Sequence, residues 1–224
     1  MKIFIIYLII LLLHFITITI IYKNYIKKTN IFTNYKGIIY NVLILLLPIF
    51  VKNKHNKEPI SNIQVLIHYK NNFKGFFGHT DIIINDKVYS YGNYNKDSYK
   101  IFDSYGEGIL FITNKDEYIK YCLNNKKKIY IFNIHNNKEI IINNINNVMK
   151  TVKEITNINT NSYINKLNQN NNIKFYKFNN IQKKYYFLGY NCVFFVKEIL
   201  NIKTNIYNIE TPSNLYFYLL KNKT

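Results

Sequence analysis

The chain has no arginine, no alanine and no tryptophan, and among its 224 residues only two cysteines and seven glycines. Without arginine there is no planar guanidinium fork to grip guanine or phosphate in two places. That argues against sequence-specific nucleic-acid binding despite a formal charge of +18. Two cysteines do not make the disulfide framework of a small secreted domain, and the most they allow is one bridge between Cys122 and Cys192. No CxxC or HExxH pattern occurs, so no metal site is expected. The few glycines form no phosphate-cradling loop, and no cofactor is expected.

What fills the chain instead is Ile, Asn, Lys and Tyr, residues with AT-rich codons. Part of the positive charge therefore reflects codon bias rather than a partner. A surface this basic still attracts anionic lipid, or nucleic acid without sequence preference.

Residues 3–22, "IFIIYLIILLLHFITITIIY", carry no charge. At about 1.5 Å per residue such a run crosses a hydrocarbon core of roughly 30 Å. It exceeds the apolar part of a signal peptide and no small-residue cleavage site follows, so a retained membrane helix is expected, with His14 tolerated inside it. A second run, 37–51, is shorter and contains Pro48, which fits a short span, a re-entrant segment or an interfacial helix. Lys23, Lys27, Lys28 and Lys36 between the runs favour a cytoplasmic loop. If the second run spans, the rest of the chain lies outside; if not, it lies inside. The expected organisation is a membrane anchor over 1–59, closed by a polar linker at 52–59, and one α+β domain over 60–224. The bilayer itself is the first expected partner.

In that domain, strand patterns fall at 63–69, 78–85, 87–94, 108–113, 128–134 and 173–178. Asn85-Asp86 predicts a tight turn and a hairpin over 78–94. A helix is expected to start at a Thr113/Asp116 capping box, with Ile119, Cys122 and Leu123 on one face and Cys122 as a buried structural thiol. A second spans 138–156 with Ile141, Ile145, Val148, Val152 and Ile155 facing the core. Residues 157–172 read as a loop with one helical turn at "SYINKL". Thr211 and Pro212 open a terminal helix. The strands alternate too irregularly with helices for a doubly wound sheet, so an antiparallel sheet with flanking helices is predicted.

The segment "GYNCVFFVKEIL" (189–200) places Cys192 in the first turn of an apolar helix capped by Asn191. Unpaired N–H groups and the helix dipole favour a thiolate there. Packing with Val193, Phe195, Val196 and Ile199 as ordinary core is the plainer reading of the helix taken alone. A nucleophile needs a base. His14 and His55 lie in the membrane run and the linker, His68 ends the first strand, and His135 sits in a polar turn. His79 differs, standing at a strand start beside Gly78 in "FKGFFGHTDIII", where Gly75 and Gly78 leave room for close approach. Pairing across Asn85-Asp86 puts residue 90 opposite 81, so Ser90 shares a face with His79; a slip of the turn would substitute Asn93 or Tyr91. Asp81 shares that face too, but residues two apart on a strand are about 7 Å apart, which predicts no direct bond to His79.

"GHTDIIINDKVYSYGN" (78–93) followed 113 positions after His79 by "YNCVFFVKEIL" (190–200) resembles the circularly permuted papain-like hydrolases of the NlpC superfamily. That group includes the lecithin–retinol acyltransferase-like proteins and the PPPDE peptidases, and in it the histidine strand precedes the cysteine helix. The resemblance spans roughly 80–200. It implies a permuted papain-like fold, with Cys192 as nucleophile, His79 as base and Ser90, Asn93 or Tyr91 as the third polar residue, where many relatives have histidine. It further implies attack on an amide or ester in a peptide, cell-envelope or lipid acyl substrate, by hydrolysis or acyl transfer. Two other readings stand beside it. One is a catalytically inactive domain of the same fold used for binding or scaffolding; the other is an unrelated membrane protein whose basic face holds anionic lipid.

Overall fold

The computed structural model describes residues 61–68, 78–98, 105–125, 129–135, 137–160, 162–170, 172–180, 183–186, 189–203 and 210–222. All belong to the second of the chain's two units, Tyr40–Thr224. The expected membrane helix at 3–22, the second apolar run at 37–51, the linker at 52–59, and with them His14, His55 and Gly75, lie outside the described residues. Among the described residues no helix is long and apolar enough to cross a membrane.

The strands are β1 (Ile63–His68), β2 (His79–Ile84), β3 (Lys87–Gly92), β4 (Tyr105–Gly106), β5 (Ile109–Asn114), β6 (Ile129–Asn133), β7 (Val152–Ile155), β8 (Lys174–Phe178) and β9 (Tyr185–Tyr186). The helices are α1 (Lys115–Asn124), α2 (Lys138–Lys150), α3 (Ser162–Asn170), α4 (Cys192–Ile199) and α5 (Pro212–Lys221). Seven strands form one sheet in the order β6-β1-β2-β3-β5-β8-β7, and every neighbouring pair is antiparallel. β4 and β9 pair separately. The architecture is thus α+β, an antiparallel sheet with flanking helices.

Helices cover both faces of the sheet. Val65, Ile67, Ile82 and Ile84 pack against Ile145 of α2, Phe195 of α4 and Leu215 of α5. On the other face Leu66, Ile83, Val88 and Phe111 pack against Tyr118 and Cys122 of α1 and Ile164 and Leu167 of α3. Double coverage explains why every residue of β1, and every residue of β2 but His79, is buried, a pattern more often found in parallel sheets. It also sets the geometry of the site. Along β2, Ile83 packs into the α1 layer and Ile82 and Ile84 into the α4 layer.

The β2–β3 turn forms at Asn85-Asp86, both with positive φ (48° and 62°), as a two-residue hairpin turn requires. Ile84 pairs with Lys87 and Ile82 with Tyr89, the register that places residue 90 opposite 81. Thr211 caps α5, accepting from Asn214 N, with Pro212 at the first helical position.

Three local expectations are corrected. The cap of α1 is Asn114, which accepts from the Asp116 and Glu117 N–H groups, because Thr113 is still paired in β5. Its buried face is Tyr118 and Cys122, while Leu123 is exposed. α2 stops at Lys150, and Val152–Ile155 becomes β7 on the edge beside β8. There the β-branched Val152 and Ile155 find ladder partners in Phe178 and Phe175 that outweigh a helical stripe. Residues 162–170 form α3, a nine-residue helix rather than one turn, because Ile164 and Leu167 bury a face against Phe175 and its neighbours.

Candidate active site

Asn191, in extended conformation, caps α4: its Oδ1 accepts from Val193 N at 2.9 Å and Phe194 N at 3.2 Å. Its Nδ2 donates to the Glu210 carbonyl at 2.9 Å, tying the start of α4 to the chain entering α5. Behind it, Lys197 and Glu210 form a buried ion pair. Val193, Phe195, Val196 and Ile199 are fully buried, and each such side chain contributes about 1.5–3 kcal/mol. Cys192 is left at the first helical position with its N–H outside the helix's own ladder, the place where an anion is best stabilised. Both cysteines are free thiols; Cys122 is sealed in the α1 layer, and no bridge forms.

His79 opens β2 directly after Gly78, whose φ is +77°. A Cβ there would lie 2.6 Å from the His68 carbonyl oxygen, so only glycine lets β2 start this close to the end of β1. The imidazole is about one quarter exposed, with a side-chain value of 27%. It lies close enough to the Cys192 thiol for each group to shift the other's ionisation.

The Nε2 atom of that ring is crowded with oxygen. Ser90 Oγ lies 3.0 Å from His79 Nε2, Tyr94 Oη 2.9 Å and Asp81 Oδ1 2.9 Å. Ser90 and Tyr94 are bonded to each other at 2.6 Å. One N–H cannot point at three acceptors. Asp81 Oδ1 stands off its axis and has no in-line hydrogen-bond donor, so its contribution is charge. The expectation that Asp81 would not meet His79 is therefore corrected: both side chains lean along the strand and close the gap. The other oxygen, Asp81 Oδ2, accepts from His68 Nε2 at 2.5 Å and from Tyr118 Oη at 2.8 Å.

Burial alone would push the His79 pKa down, but the Asp81 carboxylate and the Cys192 thiolate outweigh it and raise the ring to about 10. Burial alone would raise Asp81; the two histidines hold it well below the usual carboxylate range. The Cys192 thiol behaves likewise. Its burial opposes ionisation, yet the His79 charge and the Thr80 N–H lower it overall. The Thr80 hydroxyl, buried and without a hydrogen bond of ordinary geometry, faces the sulfur as well. Each of the two groups thus stabilises the charged form of the other.

Of the residues singled out from the sequence, Cys192, His79 and Ser90 come together. Asn93 and Tyr91 do not: Asn93 donates to the Tyr105 carbonyl, and Tyr91, buried against Phe195, donates to the Lys183 carbonyl. His135 is exposed in its turn. Tyr94, His68 and Tyr118 were missed. Tyr94 had a faint signal, because Gly92 leaves space for its ring; a Cβ at 92 would lie 2.7 Å from it. Among the described residues no group of histidine, cysteine and carboxylate side chains is suited to a metal ion.

Fold and site together define a class: an α+β domain with a cysteine at a helix start, facing an imidazole backed by a buried carboxylate. No family model, curated protein or solved structure matches the chain.

Proposed function

We propose that this protein is a membrane-anchored cysteine hydrolase or acyltransferase of the permuted papain-like kind, with Cys192 as nucleophile and His79 as its acid–base partner. The observation that carries the reading is a thiol at a helix N-terminus beside an imidazole whose Nε2 lies 2.9 Å from a buried carboxylate, each of the two groups shifting the other's ionisation. The order histidine strand, then cysteine helix, and the resemblance of the two motifs support the same kind of fold. The apolar run at 3–22 supports the anchor, and anchoring makes a lipid acyl or cell-envelope amide a natural substrate.

The thiolate attacks the carbonyl carbon, and the oxygen takes the negative charge, stabilised by the Cys192 N–H. With Nε2 occupied by Asp81, Ser90 and Tyr94, Nδ1 is the nitrogen that exchanges a proton across the sulfur. The imidazolium protonates the departing amine or alcohol as its bond to carbon breaks, leaving a thioester on Cys192 and a neutral ring. That ring then takes a proton from water, or from an acceptor hydroxyl or amine, as its oxygen or nitrogen attacks the thioester. Collapse releases the acyl product and restores the thiolate–imidazolium pair. Asp81 stabilises the charged ring, and Ser90 and Tyr94 fix its plane.

Labelling of the membrane fraction with a thiol-reactive acyl probe tests the reading. The parent takes the label and Cys192→Ser does not; equal labelling of the two overturns it.

A further inference from the structure

The carboxylate behind the pair is itself held from elsewhere in the fold. Asp81 is completely buried, and its two oxygens serve different partners, Oδ1 facing His79 and Oδ2 taking both His68 Nε2 and Tyr118 Oη. His68 is the last residue of β1 and pairs directly with His79 across the ladder, with ring centroids 5.8 Å apart. Tyr118 arrives from α1 and meets the His68 ring edge-on. His68 faces the layer of Leu66 and Ile83, where an apolar side chain would ordinarily sit. A buried imidazole there costs free energy unless a partner accepts from it, and Asp81 is that partner.

We propose that His68 is a positioning residue: with Tyr118 it pins Asp81 Oδ2, so that Oδ1 stays on His79 throughout the reaction proposed above, on which this inference rests. A carboxylate on a one-carbon stem turns easily about its last torsion. Two donors from separate elements, β1 and α1, remove that freedom. Ionisable side chains reach this cluster from each element around it: His68 from β1, His79 and Asp81 from β2, Tyr94 after β3, Tyr118 from α1 and Cys192 from α4. Among the described residues no lysine lies within ion-pair distance of Asp81. Among the described residues its ion-pair partners are His68 and His79, and Tyr118 adds a neutral donor.

The test is an NMR titration of the His79 ring in the full chain, which reads ionisation and needs no substrate. The parent ring titrates near 10. In His68→Leu it falls by about one unit or more, because the carboxylate is free to turn away or take a proton. In His68→Gln, whose amide donor reaches to a similar point, most of the shift returns. Tyr118→Phe gives a smaller fall in the same direction. A His68→Leu ring titrating at the parent value overturns the proposal. If that variant fails to fold by urea titration, an unmoved ring in Tyr118→Phe overturns it equally. Loss of acyl labelling bears on the reaction and leaves this titration standing, so the two failures are distinguishable.

Discussion

His79 Nε2 lies 2.9 Å from Asp81 Oδ1, although the two side chains leave the same strand two residues apart. The carboxylate is wholly buried and the ring is not, so the ring is the member of the pair that can meet a substrate. Their charges determine whether Cys192 is a thiol or a thiolate.

Asp81→Asn should abolish that control. The amide keeps the shape but not the charge, so His79 loses its main stabiliser and burial pulls its pKa down. Turnover of an acyl substrate should fall by roughly 10²- to 10⁴-fold at neutral pH. A stability effect follows with a definite sign. The folded-state value of His79 is raised from 6.5 to about 10, so its contribution is whole below pH 6.5 and is lost as pH rises through 10. In a Cys192→Ser background, which removes the opposite contribution of the lowered thiol, the urea midpoint should therefore drop as pH rises above 6.5, and the drop should be smaller when Asp81→Asn is added. Identical slopes would rule out the linkage.

Two glycines separate strain from chemistry. Gly78→Ala forces a positive φ on an L residue and sets a Cβ against the His68 carbonyl, and should cost about 1–3 kcal/mol in urea unfolding. Gly92→Ala meets the Tyr94 ring, which can move. It should lower turnover while shifting the urea midpoint little. Equal effects of both substitutions on stability would contradict the assignment of Gly92 to Tyr94.

Asn191 should be divisible into its two jobs. Asn191→Ala removes the cap and the bond to Glu210, with a loss of about 0.5–2 kcal/mol. Asn191→Asp keeps the cap but places a negative charge one residue from Cys192. It also sets a carboxylate oxygen against the Glu210 carbonyl in place of the Nδ2 donor, so it should lose stability as well as slow iodoacetamide alkylation of Cys192 at pH 7. Alkylation as fast as in the parent would show that the thiolate is not formed at that helix start.

The hairpin was legible because Asn85-Asp86 tolerates positive φ and the apolar residues around it leave one register. The Cys192 helix was legible because Asn191 and the 193, 195, 196, 199 pattern mark its start and its buried face. β7 was not, since Val152 and Ile155 fit a helical stripe as well as an edge strand, and only Phe175 and Phe178 on β8 decide between them. Asp81 was discounted because strand spacing gives the separation of backbone positions, whereas the contact is made by side chains leaning along the strand. His68 and Tyr118 were hidden for another reason. No turn signal fixes how β1 pairs with β2 across residues 69–78, and nothing local shows that α1 packs over Asp81. Those contacts come from tertiary packing alone.

The chain carries its own control for the central claim, because Cys122 is a second cysteine outside any disulfide, buried in the layer on the other side of the sheet from Cys192. Mass spectrometry of the full chain after brief exposure to an acyl thiol probe at pH 6.5 compares the two sites directly. Acylation should fall on Cys192 and not on Cys122, and should be lost in His79→Gln, where burial still opposes ionisation and the imidazolium that offset it is gone. Equal acylation of both cysteines, or undiminished acylation of Cys192 in His79→Gln, would contradict the account.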